Sequence, residues 1–170
     1  MVVIQTQVDH AAATVLAHVT RKTLRRNRSS PVRALAWFVV ALEGFLTVNY
    51  LRGGFGGWLP NTVMGLFMLG CLLLEDRISG AVILRKVPPE EREVNITFQE
   101  NNCYVCRTQN GEHWHLYDQI RAAAETKDSF VLLTAPSEGQ VFSKTSFTWG
   151  TAEEFRALIE KKTGLRFWKV

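Results

Sequence analysis

Two apolar runs joined by a glycine-rich connector constrain this chain more than any other feature. The first is Ala34–Leu51, the second Trp58–Leu74, and Arg52-Gly-Gly-Phe-Gly-Gly57 lies between them. Across those forty-one residues only Glu43 and Arg52 carry charge. A helix needs about 17–25 apolar residues to cross a hydrocarbon layer of about 30 Å, and both runs meet the lower limit. The expected architecture is an α+β membrane protein. It has a two-helix transmembrane hairpin plus a small antiparallel β-barrel or sheet domain with a C-terminal amphipathic helix.

The two spans differ in strength. Leu, Ile, Phe and Val favour insertion by about 0.3–0.6 kcal/mol each, so the nine in the first span give about 3–5 kcal/mol, which a central Glu43 nearly cancels. The second span has eight such residues and no opposing charge, so it inserts firmly and supports the first. Trp37, Tyr50 and Trp58 fall near the span ends, where amphipathic rings favour the headgroup layer. A hairpin buried in a soluble core is the alternative, but too few other helices are present to cover it. A signal peptide does not fit, because the apolar run starts late and no small-residue cleavage site follows.

Arg21, Lys22, Arg25, Arg26, Arg28 and Arg33 precede the first span without an acid among residues 21–33, whereas the connector offers Arg52 alone. The positive-inside bias therefore places both termini in the cytoplasm. The net charge of +4 comes from that segment, since Val87–Val170 holds twelve acids and ten bases. Such a basic segment suits anionic lipid headgroups, at about 1 kcal/mol per well-placed residue, and equally serves as a plain topology signal. Nucleic acid is not an expected partner. Cysteines in a cytoplasmic domain point away from a structural disulfide.

Taken in order, the chain divides into four regions. Residues 1–33 hold a strand, Val2–Val8, and a basic helix, Ala11–Arg26, capped by Asp9. That helix reads as lying at the membrane interface or packed on the soluble domain. Residues 34–74 are the hairpin, and residues 75–92 a connector in which Glu75–Lys86 extends the second span until Pro88-Pro89 stop it. Residues 93–170 form the cytoplasmic domain. Alternation gives a strand over Val94–Phe98, then Cys103–Thr108 and Glu112–Tyr117 around Asn110-Gly111. Ile120–Thr126 pairs with Ser129–Thr134, and Val141–Lys144 follows the Pro136–Gly139 turn. Thr151 and Glu154 make a capping box for a helix with an apolar stripe at Phe155, Leu158 and Ile159, ended by Gly164. Val2–Val8 adds a strand to this domain, which makes the hairpin an insertion.

Tyr117-Asp-Gln-Ile120, Glu125-Thr126, Phe130-Val-Leu132, Ser143-Lys144, Phe147 and the helix Ala152–Leu158 resemble the YcxB-like family of bacterial membrane proteins. That resemblance implies an inner-membrane protein with two transmembrane helices and a cytoplasmic domain similar in outline to pleckstrin-homology folds. Tyr117 stands where the family commonly has tryptophan, and serine precedes Lys144 where proline is common. The family brings no established activity with it.

Candidate chemistry is sparse. Cys103-Tyr-Val-Cys106 followed by His113-Trp-His115 suggests zinc, but strand alternation splits the set. Pairing Cys106 with His115 across an Asn-Gly loop puts Cys106, His113 and His115 on one face and Cys103 on the other with Val105, Trp114 and Leu116. At most a three-ligand site remains, beside the plainer reading of a cross-strand polar surface; neither metal nor cofactor is expected. Glu43 is the sharper residue, because an ionisable group within a membrane is a functional candidate. It serves a proton or ion path, pairs with Asn61, or stays protonated and holds an oligomer together. Two short helices make no pore, so transport needs self-association. No nucleophile with its base, phosphate loop or carboxylate pair stands out. The expectation is a non-enzymatic module binding lipid headgroups or a protein partner, in which Trp114, Tyr117 and Lys144 shape either the domain itself or its binding surface.

Overall fold

The computed structural model describes residues 1–54, 58–135 and 138–170, without the side chains of residues 26–28. The centre of the glycine connector and the first half of the Pro136–Gly139 turn therefore lie outside the described residues. The chain divides into two compact units. One unites Met1–Leu24 with Arg77–Val170, and the other is Arg25–Asp76.

In the first unit the strands build two sheets. β1 (Val2–Gln7), β2 (Glu93–Phe98), β3 (Cys103–Thr108), β4 (Gly111–Leu116) and β8 (Phe147–Trp149) form sheet A in the order β4-β3-β2-β1-β8. β5 (Ala122–Glu125), β6 (Ser129–Ala135), β7 (Glu138–Ser143) and β9 (Trp168–Lys169) form sheet B in the order β7-β6-β5-β9. β1 and β2 pair from Val2↔Phe98 to Gln7↔Glu93, so the N-terminal strand does join the later domain. The expected barrel does not close. Between β4 and β5 the chain turns through Tyr117–Gln119, where Tyr117 N–H donates to Asn102 O, and passes into the second sheet instead of pairing with the first. β9 runs parallel to β5, so sheet B is mixed.

Alternation explains the layers. Ile4, Ile96, Phe98 and Tyr104 of sheet A meet Phe130, Leu132 and Phe142 of sheet B in one buried core. The helix α4 (Ala152–Thr163), with its Thr151–Glu154 capping box and Gly164 at φ 69°, sends Phe155 into that core. Phe155 lies 4.9 Å from Phe98, 5.2 Å from Phe130 and 5.6 Å from Phe142, measured between ring centroids. The opposite face of sheet B carries Ala122, Ala124, Val131 and Leu133, covered by Leu16 and Val19 of α1 (His10–Lys22). Of the two expected placements of that helix, the structure shows the packing of its apolar face on the sheet. α1 also ends earlier than expected: Thr23 donates both its N–H and its hydroxyl to Val19 O, which closes the helix before Arg26.

The second unit contains α2 (Arg26–Arg52) and the apolar part of α3 (Trp58–Lys86). Among the described residues one helical segment, Ser29–Arg52, is long and apolar enough by length and composition to cross a membrane. A second crossing, by α3, is not shown. Its uncharged, strongly apolar core is confined between Asn61-Thr62 and Glu75-Asp76-Arg77. α3 runs on to Lys86 and stops before Pro88, as the proline pair dictates.

Candidate functional site

The two helices of the second unit meet along a seam of small and polar side chains. At one level a methyl group on Gly65 would stand 3.2 Å from Cβ of Glu43, so the backbone at Gly65 comes close to the carboxylate-bearing turn. One turn on, Thr47 Oγ1 and Thr62 Oγ1 share a hydrogen bond of 3.3 Å. At the far end Arg33 pairs with Glu75 at 3.3 Å. The large apolar side chains point the other way: Leu35, Phe38, Phe45 and Leu51 of α2, with Leu59, Leu66, Phe67 and Leu73 of α3, are all exposed.

That distribution inverts what water imposes on a helix pair. In water the apolar stripe turns inward; in lipid no hydrophobic force joins helices, and small or polar residues make the contact. Glu43 sits at the centre of the seam with Oε2 buried and without a hydrogen-bond partner. Asn61 is half-buried, and Thr62, not Asn61, makes the polar contact with α2.

The other candidates are dispersed. Trp114 is 62% exposed on the outer face of sheet A, opposite Val105. Of its two expected roles Tyr117 takes that of shaping the domain: it is 2% exposed, its hydroxyl donates to Gln99 O at 2.9 Å, and burial pushes its pKa up to about 12. It is a core residue and forms no surface with Trp114. Lys144 reaches Glu125 Oε1 at 2.6 Å, and Arg156 donates to both Glu125 oxygens at 2.8 and 3.2 Å. Both cations stand over the Phe130 ring. Burial pushes the Glu125 carboxyl up, but the hydrogen bonds from Lys144 and Arg156 outweigh it and hold the carboxyl below its ordinary value. This triad ties β5, the β7–β8 turn and α4 together. No local pattern in the sequence marks its acidic member, because Glu125 lies nineteen residues before Lys144 and thirty-one before Arg156.

The β3–β4 pairing shifts relative to expectation. Cys106 faces His113 and Tyr104 faces His115, with Gln109-Asn110 as the loop and Gly111 at φ 138°. A two-residue slip preserves face parity, so Cys106, His113 and His115 still share a side. They do not gather around an ion: among the described residues no group of three or more His, Cys, Asp or Glu could hold a metal. Instead, Gln140 Nε2 donates to Cys106 Sγ at 3.2 Å, and burial pushes the thiol up to about 11. Such a thiol is unreactive at neutral pH. His115 stacks on Tyr104 at 5.2 Å, and burial, aided by His113, lowers its pKa.

Of the basic residues, Lys22 and Arg25 are exposed and Arg21 lies 3.2 Å from His18 Nδ1. The side chains of Arg26 and Arg28 lie outside the described residues. Set against known family models, curated proteins and solved structures, the chain matches none of them.

Proposed function

We propose that this chain is a non-enzymatic bacterial inner-membrane protein of the YcxB-like kind. In this reading α2 and α3 cross the bilayer as a hairpin with both termini cytoplasmic. The two-sheet unit is then a pleckstrin-homology-like module held at the membrane, where it binds lipid headgroups or a segment of a protein partner. The observation that carries this reading is the inverted helix pair: aliphatic and aromatic side chains face outward, while Glu43, Thr47, Thr62 and Gly65 face the seam. Exposed Lys22 and Arg25 on the cytoplasmic flank suit anionic headgroups.

Single-cysteine labelling tests it in cells. With Cys71, Cys103 and Cys106 replaced by alanine, cysteines placed at the exposed Gln7 and Lys169 should resist a membrane-impermeant maleimide until the inner membrane is opened, and the protein should stay in the pellet after alkaline carbonate washing. Labelling of either terminus in spheroplasts, or release by carbonate, refutes the topology.

A second reading makes the protein a small oligomer with Glu43 on a proton or ion path. The buried, unpartnered Oε2 of Glu43 favours it. Glu43→Gln separates the two: liposomes holding the wild type should acidify faster than those holding the variant only in the second reading.

A further inference from the structure

Between α1, β1, β2 and β7 the folded unit leaves a cleft of about 60 Å³. Val8, Leu16, Ile83, Val94, Ile96 and Val141 make its walls aliphatic, and small residues on α1 and β7 leave the space open. A water needs about 10–15 Å³ and two to four polar partners, so the cleft has volume for about four to six water-sized groups. Its polar side chains are only two, Thr6 and Gln140. The Thr6 hydroxyl already donates to Val141 O at 3.1 Å. Water is therefore poorly held there.

Gln140 is the exception in this wall. Its Nε2 donates to the sulfur of Cys106, while its Oε1 is buried with no partner. Turning the amide over would place the oxygen on the thiol and orphan the NH₂ group, so one end of the amide lacks a partner in either orientation. A buried amide end left unmade costs about 1–3 kcal/mol. A ligand carrying one hydroxyl satisfies either orientation, since a hydroxyl both donates and accepts.

We propose that this cleft binds a short aliphatic alcohol of about four to six non-hydrogen atoms, its hydroxyl bonded to the Gln140 amide and its chain against Ile83, Val94 and Ile96. A phospholipid tail ends in methyl and would leave the amide orphaned, so it does not belong to this class. The site takes Ile83 from the end of α3 but nothing from Arg25–Asp76, and it holds whether or not that segment crosses a bilayer.

The test is methyl-detected NMR of the full chain in amphipol, titrated with 1-pentanol and with n-hexane. Pentanol should shift the Ile83, Ile96 and Val94 methyls saturably. Gln140→Leu should weaken pentanol about three- to tenfold, the worth of one neutral hydrogen bond, and leave hexane within about twofold. Ala13→Leu, or Ala12→Leu at the more exposed part of the wall should the first not fold, fills the space and should abolish both. Absence of saturable shifts, or equal weakening of both probes by Gln140→Leu, overturns the proposal.

Discussion

Replacing Phe155 by alanine removes the side chain on which the two sheets and α4 converge. Phe155 is fully buried and sits within 6.3 Å of five aromatic rings, those of Phe98, Phe130, Phe142, Phe147 and Phe167. Phe→Ala in a core costs about 3–5 kcal/mol, combining lost transfer energy with the cavity left behind. Each well-placed ring pair adds about 0.5–1.5 kcal/mol beyond area, which puts Phe155 in the upper half of that range. The unit of residues 1–24 and 77–170 has about 120 residues and an unfolding entropy of about 0.25 kcal/mol/K. The expected drop in its midpoint is therefore about 16–20 °C. Near-ultraviolet circular dichroism of the full chain in detergent follows this unit through its buried rings. Trp114→Ala is the control: an exposed ring on the outer face of sheet A should change stability by less than about 0.5 kcal/mol. A midpoint lowered by less than about 3 °C for Phe155→Ala, under 1 kcal/mol on the same entropy, would refute the packing of α4 on the core through Phe155.

Three further outcomes follow from the same structure. Glu125→Gln should lower stability by about 1–2 kcal/mol in a denaturant titration at pH 7, since it weakens two charge-assisted contacts in a partly exposed triad. The Glu125 carboxyl has a lowered folded-state pKa, so its contribution is present above the ordinary carboxylate value of about 4.5 and fades as pH falls below it. The variant should show a flatter acid limb; an unchanged limb would exclude the triad. His115 also has a lowered pKa, but here the charged form is the disfavoured one. The unfolded chain takes up its proton first, so stability should decline as pH falls below about 6.5, and His115→Phe should remove that slope from a melting series between pH 7 and pH 5. Gly80→Leu should loosen the contact of α3 with α1, because even its Cβ would stand 2.8 Å from Thr14 N and 2.9 Å from Thr14 Cα, distances backbone cannot relieve locally. The same change at Gly70, with nothing within 4 Å, should be tolerated, and proteolysis between residues 20 and 26 reports the difference.

Short-range chemistry makes much of the fold legible in the sequence. Asp9 does accept from Ala12 N–H, and Thr151 and Glu154 do exchange bonds at the start of α4. Gly164 turns left-handed, and the prolines after Lys86 stop α3. Each depends on residues within four positions of one another. The Asn-Gly pair points to a register two residues away from the observed one: Gly111, at φ 138°, pairs with Thr108 and leaves Gln109-Asn110 as the loop. Because the slip is even, alternation still places Cys106, His113 and His115 on one face.

The candidate sites are less legible because their partners are far apart in the chain. Tyr117 reads as the end of a strand with its role in the core or on the surface open, and its hydroxyl finds Gln99 eighteen residues earlier. The Gln140–Cys106 contact spans thirty-four residues and gives no periodic signal.

The sequence alone determined the capped start of α1, both ends of α4 and the proline stop of α3, since those depend on neighbours along the chain. Only the tertiary structure decided that the strands divide into two sheets, that α1 covers one of them, and that polar groups line the helix seam. Those outcomes depend on which faces exclude water together, and burial is a property of assembled surfaces that no single stretch carries.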